Sequence, residues 1–190
     1  MKAIAICGSP REAGNTEALL QTCLDTLARA GIEGELIRLA DKTLEPCTAC
    51  MQCLENKDKQ CAIQDDFAPV FEKMEASDII VLGSPVYFGS ATANLTALMD
   101  RSGSVARWNG NLFSRKLGGP IVVARRAGVN FTYAQLIFWY TIADMIVAGS
   151  TYWNVGHGMD PGDIQQDEEA VDTVQRFAEN LAWLAQKIEA

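Results

Sequence analysis

The 190 residues contain one histidine, His157, which excludes a catalytic relay between histidines and any multi-histidine metal site. Its setting, Val155-Gly156-His157-Gly158, reads as a surface loop. Long apolar runs are also lacking. The uncharged stretch from Ala127 to Ala143 includes Asn130, Thr132, Tyr133 and Gln135, and falls short of the ~20 mainly apolar residues that cross a bilayer. The run Ala3 to Cys7 is shorter than the ~7–15 apolar residues of a signal peptide, so a cytoplasmic protein with no membrane partner is expected. The six cysteines are then expected to remain thiols, serving a metal, redox chemistry or the core.

Positive charge is scarce: 16 Lys and Arg stand against 24 Asp and Glu, a net charge of −8. Nucleic acid is excluded as a general partner, because that affinity rests on clustered Lys and Arg. Residues 160–190 hold eight acids and two bases, so six of the eight net negative charges lie there and the rest of the chain is near neutral. With 15 Gly and 6 Pro the chain is not of low complexity. At ~100–200 residues per domain, 1–190 reads as a single domain.

What is present is an alternation of strands and helices. Residues 2–7 form an apolar run ending in Gly8-Ser9-Pro10, followed by a helical pattern at Leu19, Leu20, Cys23, Leu24 and Leu27. Residues 35–39 read as a second strand, and Asp65-Asp66 as the cap of a helix through Val70, Phe71 and Met74. The run Asp78 to Gly83 is continuously apolar, as a strand covered on both faces must be, and is assigned to the sheet centre. Helices near 91–104 and 131–147, strands at 119–124 and 151–155, and a terminal helix from Asp167 complete the pattern. Five strands alternating with helices predict an α/β fold: an open five-stranded parallel sheet, order 2-1-3-4-5, with helices on both faces. Ligand then binds at the carboxyl ends of the strands, beside the topological switch point.

Two loops at that edge carry unusual residues. In Gly8-Ser9-Pro10-Arg11-Glu12-Ala13-Gly14-Asn15-Thr16, hydroxyls, an amide and a helix start converge as donors for a phosphate. No Gly-x-Gly-x-x-Gly fingerprint and no Lys-Ser/Thr pair of a triphosphate loop is present, so a terminal monophosphate fits better. Gly14-Asn15-Thr16 alone would also serve as an ordinary capped turn. The second loop, Gly83-Ser84-Pro85-Val86-Tyr87-Phe88-Gly89-Ser90, offers a flat apolar wall with exposed amides for a planar heterocycle.

These two loops together with Asp100-Arg101 resemble the flavodoxin-like NADPH-dependent FMN reductase family over residues 1 to about 155. The resemblance implies phosphate binding by Ser9, Arg11, Asn15 and Thr16, and ring binding by Pro85, Val86, Tyr87, Phe88 and Gly89. It also places a flavin contact in Ala124-Arg125-Arg126-Ala127-Gly128, for which Arg125 and Gly128 are the candidates. Two arginines stand there where the family more usually has small residues. A guanidinium beside the ring would favour the anionic reduced flavin.

Cys47, Cys50, Cys53 and Cys61 read Cys-x2-Cys-x2-Cys-x7-Cys within a Cys-rich loop at 46–61. Three thiolates at this spacing can wrap three corners of a cubane, with the fourth from a nearby turn. Zinc also accepts four cysteines, though more often from two separated knuckles, and free thiols are the plain alternative. The arrangement is similar to the iron-sulfur flavoprotein branch of the family, which implies a [4Fe-4S] cluster beside FMN. Cys7 and Cys23 read as core. The implied activity is an FMN-dependent oxidoreductase that needs no catalytic side chain. It would take electrons from NAD(P)H, or from a reduced protein such as a ferredoxin, to a flavin, quinone or other acceptor. A flavodoxin-type carrier without a small-molecule substrate is the alternative. The helix of residues 131–147, with Phe131, Phe138, Trp139, Tyr140 and Ile142, is apolar on nearly every side, which predicts a homodimer or homotetramer.

Overall fold

A computed structural model describes residues 1–189. Strands β1 (Lys2–Cys7), β2 (Glu33–Arg38), β3 (Ile79–Pro85), β4 (Leu117–Ala124), β5 (Ile146–Val147) and β6 (Val155–His157) form one parallel sheet. The order is β2-β1-β3-β4-β5, with β6 also paired to β4. The expected flavodoxin-like order is therefore observed, with β3 in the middle and wholly apolar through Leu82.

Helices α1 (Asn15–Arg29) and α6 (Glu168–Glu189) cover one face, where Leu19, Leu20 and Cys23 meet Phe177 and Leu181. The other face is covered by α3 (Phe67–Ala76), α4 (Ala93–Trp108) and α5 (Val129–Ile142), which bring Phe67, Phe71, Leu98 and Tyr140 together. A short helix, α2 (Gln52–Asn56), lies within the cysteine loop. Tyr140 is fully buried, and its hydroxyl sits between β3 and β4, accepting from Leu82 N at 2.8 Å and reaching Gly119 O at 2.9 Å. Gly118 permits this approach, since a Cβ there would meet the Tyr140 ring at 2.8 Å.

The strand expected at 151–155 is replaced by two short ones, and Pro120 explains the break. The alternate residues of β4 that face this edge pair through Gly118 O with Ala148 N, and through Val122 N with Asn154 O. Pro120 lies between them and has no N–H to offer. The chain leaves after Ala148 and returns at Asn154, whose side-chain amide donates to Pro120 O at 3.1 Å. The helix expected to reach 147 stops at Ile142. Asp144 takes a left-handed conformation (φ 59°), with Met145 N bonded to Tyr140 O and Asp144 N to Thr141 O, the pattern of a Schellman stop.

Candidate functional site

The carboxyl ends of β1, β3, β4 and β6 open onto a cleft of about 250 Å³. Ser9, Arg11, Asn15, Thr16, Pro85, Val86, Tyr87 and Arg125 line it, as do Val123, Ala124, Gly158 and Met159. In a chain of net charge −8, this cleft contains two arginines and no carboxylate. At its floor α1 begins after Gly14, which contributes no side-chain cap. The first main-chain N–H groups of the helix therefore face a position where an anion completes their bonding. Thr16 is buried there and its hydroxyl has no protein partner among the described residues. Ser9 accepts from Arg11 N through its hydroxyl oxygen at 3.2 Å, leaving its proton free.

Asn15 has a second task. Its amide donates to Asp160 O at 2.9 Å and accepts from Gly162 N at 3.1 Å and Ile164 N at 3.3 Å. The side chain thus pins the turn after β6, and what it can offer a phosphate is its main-chain N–H. Arg11 is likewise tied across the cleft, donating to Met159 O. Asp163 braces the same turn by accepting from Asp160 N at 2.8 Å and Met159 N at 3.0 Å, bonds that hold its carboxyl below the usual carboxylate range.

Sequence reasoning missed Gly158 and Met159. The available signal was the glycine pair around His157, because a Cβ on Gly158 would sit 2.6 Å from the Asn15 amide nitrogen.

Pro85, Val86 and Tyr87 form the apolar wall. Val86 N bonds Val123 O at 2.9 Å, and a turn follows in which Tyr87 and Ser90 exchange both main-chain bonds. Phe88 and Gly89 have φ of 51° and 81°, as a two-residue I′ turn requires. Neither lines the cleft, and Phe88 is fully solvent-exposed at the tip. Gly128, also outside the lining, supports the wall from behind, since a Cβ on it would meet Val86 Cγ1 at 2.8 Å and Gly89 Cα at 3.5 Å. Of the two arginines after β4, Arg125 reaches the cleft and Arg126 does not.

The four loop cysteines converge on a second cavity of about 130 Å³ against α4, shared with Ile63, Arg101 and Trp108. All are free thiols. Burial pushes the Cys53 thiol up, and the neighbouring Cys61 and Cys50 push it further. The backbone between them is wound tightly, with left-handed Ala49, Met51, Lys57 and Lys59. Among the described residues no three His, Cys, Asp or Glu side chains are gathered as closely as a single metal ion needs. A cubane gives each thiolate its own iron, and four thiols spread around one cavity fit that larger group. Cys7 and Cys23 are buried away from it, with thiols pushed up to about 11 and about 12 by burial.

A parallel sheet with an anion cradle and an apolar wall at its carboxyl edge defines a mononucleotide-binding protein of the flavodoxin-like class. Residues 1–160 match the family described as NADPH-dependent FMN reductase, and the chain belongs to that family, in its iron-sulfur flavoprotein branch. It is 39% identical over 196 residues to an iron-sulfur flavoprotein of Methanocaldococcus jannaschii, covering 100% of both chains. To the iron-sulfur flavoprotein of Methanosarcina thermophila it is 32% identical over 191 residues, covering 100% of this chain and 97% of the other. Its fold is similar to that of RosB with a bound 8-demethyl-8-formylriboflavin-5'-phosphate intermediate, at a TM-score of 0.79 and 17% identity, over 100% of this chain and 80% of RosB. The chain is accordingly an FMN-dependent oxidoreductase.

Proposed function

We propose that this FMN-dependent oxidoreductase is an iron-sulfur flavoprotein in the full sense, with Cys47, Cys50, Cys53 and Cys61 holding a [4Fe-4S] cluster. In this reading a reduced protein donor of the ferredoxin kind delivers electrons that leave through FMN to a small-molecule acceptor such as a flavin or quinone. The observation that carries it is the convergence of all four thiols on one cavity, beside a separate anion-accepting cleft in the same chain. Bound FMN supplies the two-electron to one-electron conversion, so no side chain need act as acid or base. Ser9, Thr16 and the start of α1 hold the phosphate, Pro85, Val86 and Tyr87 orient the ring, and Arg125 places positive charge beside it. NAD(P)H remains the second donor, favoured by the family's description.

Rapid mixing of anaerobic protein with reduced ferredoxin or with NADPH distinguishes the donors. Ferredoxin is expected to reduce the flavin faster, and only in iron-replete protein. Equally fast bleaching by NADPH with and without iron would make the chain a plain NADPH-dependent reductase.

Assembly as a cytoplasmic homodimer or homotetramer belongs to the same reading. No helix among the described residues is long and apolar enough to cross a membrane, yet α5 leaves Phe131 79%, Phe138 69% and Ile142 69% exposed. Such a stripe favours a subunit contact over a monomeric carrier. Trp139 is not part of it: it is buried in its own subunit and donates to Met99 O at 2.9 Å. Phe138→Glu is therefore expected to reduce the light-scattering mass to one chain, because a charge would be buried unpaired. A wild-type mass of 20.7 kDa would count against assembly outright.

A further inference from the structure

We propose that Arg101 is a positioning residue that donates a hydrogen bond to the sulfur of Cys61 and thereby raises the reduction potential of the group this cysteine ligates. The inference rests on the cluster reading above and extends it to a residue outside the ligand set.

Arg101 is 1% exposed, and its carboxylate partner Asp65 is 5% exposed. A guanidinium has five N–H donors, and here each has its own acceptor. Nη1 donates to Asp65 Oδ2 at 2.6 Å and Glu45 O at 3.1 Å. Nη2 donates to Asp65 Oδ1 at 2.9 Å and Ile63 O at 3.2 Å. Nε has only the Cys61 sulfur, at 3.4 Å. The ring of Phe67 lies 4.3 Å below the guanidinium carbon and holds its plane.

Asp65 is saturated in turn, accepting from Glu45 N at 2.8 Å and Phe67 N at 3.0 Å besides the arginine. Its burial pushes the carboxyl up, but the Arg101 and main-chain donors outweigh this and leave it below the usual range. The pair therefore clasps the chain on both sides of the cysteines, at Glu45 before Cys47 and at Ile63 after Cys61. With the other four donors committed, the guanidinium cannot rotate to drop the sulfur. Of the four loop sulfurs only Cys61 receives a side-chain hydrogen bond among the described residues. A donor to a ligating thiolate withdraws electron density from the metal and favours its reduced state.

The test compares potentials in anaerobic FMN-loaded protein by spectroelectrochemistry. Arg101→Lys keeps the charge against Asp65 but has no N–H in the Nε position. Its iron-sulfur couple is expected to become about tenfold harder to reduce, ~59 mV more negative for a one-electron couple, with the FMN couple unmoved. Asp65→Asn keeps the Nε donor and removes the compensating negative charge, so its iron-sulfur couple is expected to shift the opposite way. Opposite shifts support the proposal, since a merely structural clasp has no reason to produce them. An iron-replete Arg101→Lys protein with an unshifted couple overturns it. If Arg101→Lys loses iron, Asp65→Asn decides, and an unchanged or negative shift there overturns the proposal. Wild-type protein free of iron and sulfide overturns the cluster reading and this inference together.

Discussion

Replacing any one of Cys47, Cys50, Cys53 or Cys61 by Ala is expected to bring iron and labile sulfide in anaerobically purified protein close to zero, while FMN stays bound. The four positions should behave as one unit because a cubane with a missing corner ligand is exposed and labile. The loop itself gives a physical reason. Between Pro46 and Cys61 it buries little apolar surface, Cys47 and Cys50 are exposed, and the charged Glu55, Lys57, Asp58 and Lys59 face solvent. It also carries four left-handed residues other than glycine, a conformation costing on the order of 1–3 kcal/mol each. Ligation is the term able to offset that cost, since metal binding is then folding free energy of the loop. FMN should survive because its cleft is built by segments after β1, β3, β4 and β6, none of which includes these cysteines. Cys7→Ala and Cys23→Ala serve as controls that leave iron unchanged, both being buried in or beside the sheet. Wild-type protein containing FMN but no iron, with all four thiols open to alkylation, would reject the cluster.

The sheet was legible because its signal is local. β1 is apolar from Ala3 to Cys7 and β3 from Ile79 to Leu82, as strands under two helical layers must be, and the alternation with helices leaves few topologies. The far edge was not legible, because the break between β5 and β6 depends on which side of β4 the missing N–H of Pro120 faces, a property of pairing rather than of composition. The thiol quartet was legible from its spacing. The Arg101 to Asp65 clasp around it was not, since 36 residues separate partners that meet only after α4 packs on the sheet. The cleft lining was legible at Ser9, Thr16 and Pro85-Val86-Tyr87, where loop and strand are contiguous. Met159 reaches it through contacts distant in sequence, because Arg11 holds its carbonyl and Asn15 pins the turn that follows, and Phe88 leaves it because a two-residue turn projects its first central residue outward.

Asn15 and Thr16 are adjacent at the start of α1, yet their substitutions are expected to separate when FMN is compared with riboflavin, which lacks the phosphate. Thr16→Val keeps the shape and removes a hydroxyl that lines the cleft and has no hydrogen-bond partner among the described residues. FMN should weaken by ~1–3 kcal/mol, the usual cost of a lost hydrogen bond to a charged group, or roughly 5- to 150-fold in Kd. Riboflavin binding should hardly change. Asn15→Ala instead strips acceptors from Gly162 N and Ile164 N and frees Asp160 O. The turn carrying Met159 then loses one of its anchors, and both ligands should weaken by a similar factor. Isothermal titration of the apoprotein with each ligand reads the difference directly. Equal loss of FMN and riboflavin in Thr16→Val would remove its hydroxyl from the phosphate site, and a loss confined to FMN in Asn15→Ala would return its amide to the phosphate. The geometry favours the separation, because the Asn15 amide already makes three bonds to the turn while the Thr16 hydroxyl makes none among the described residues.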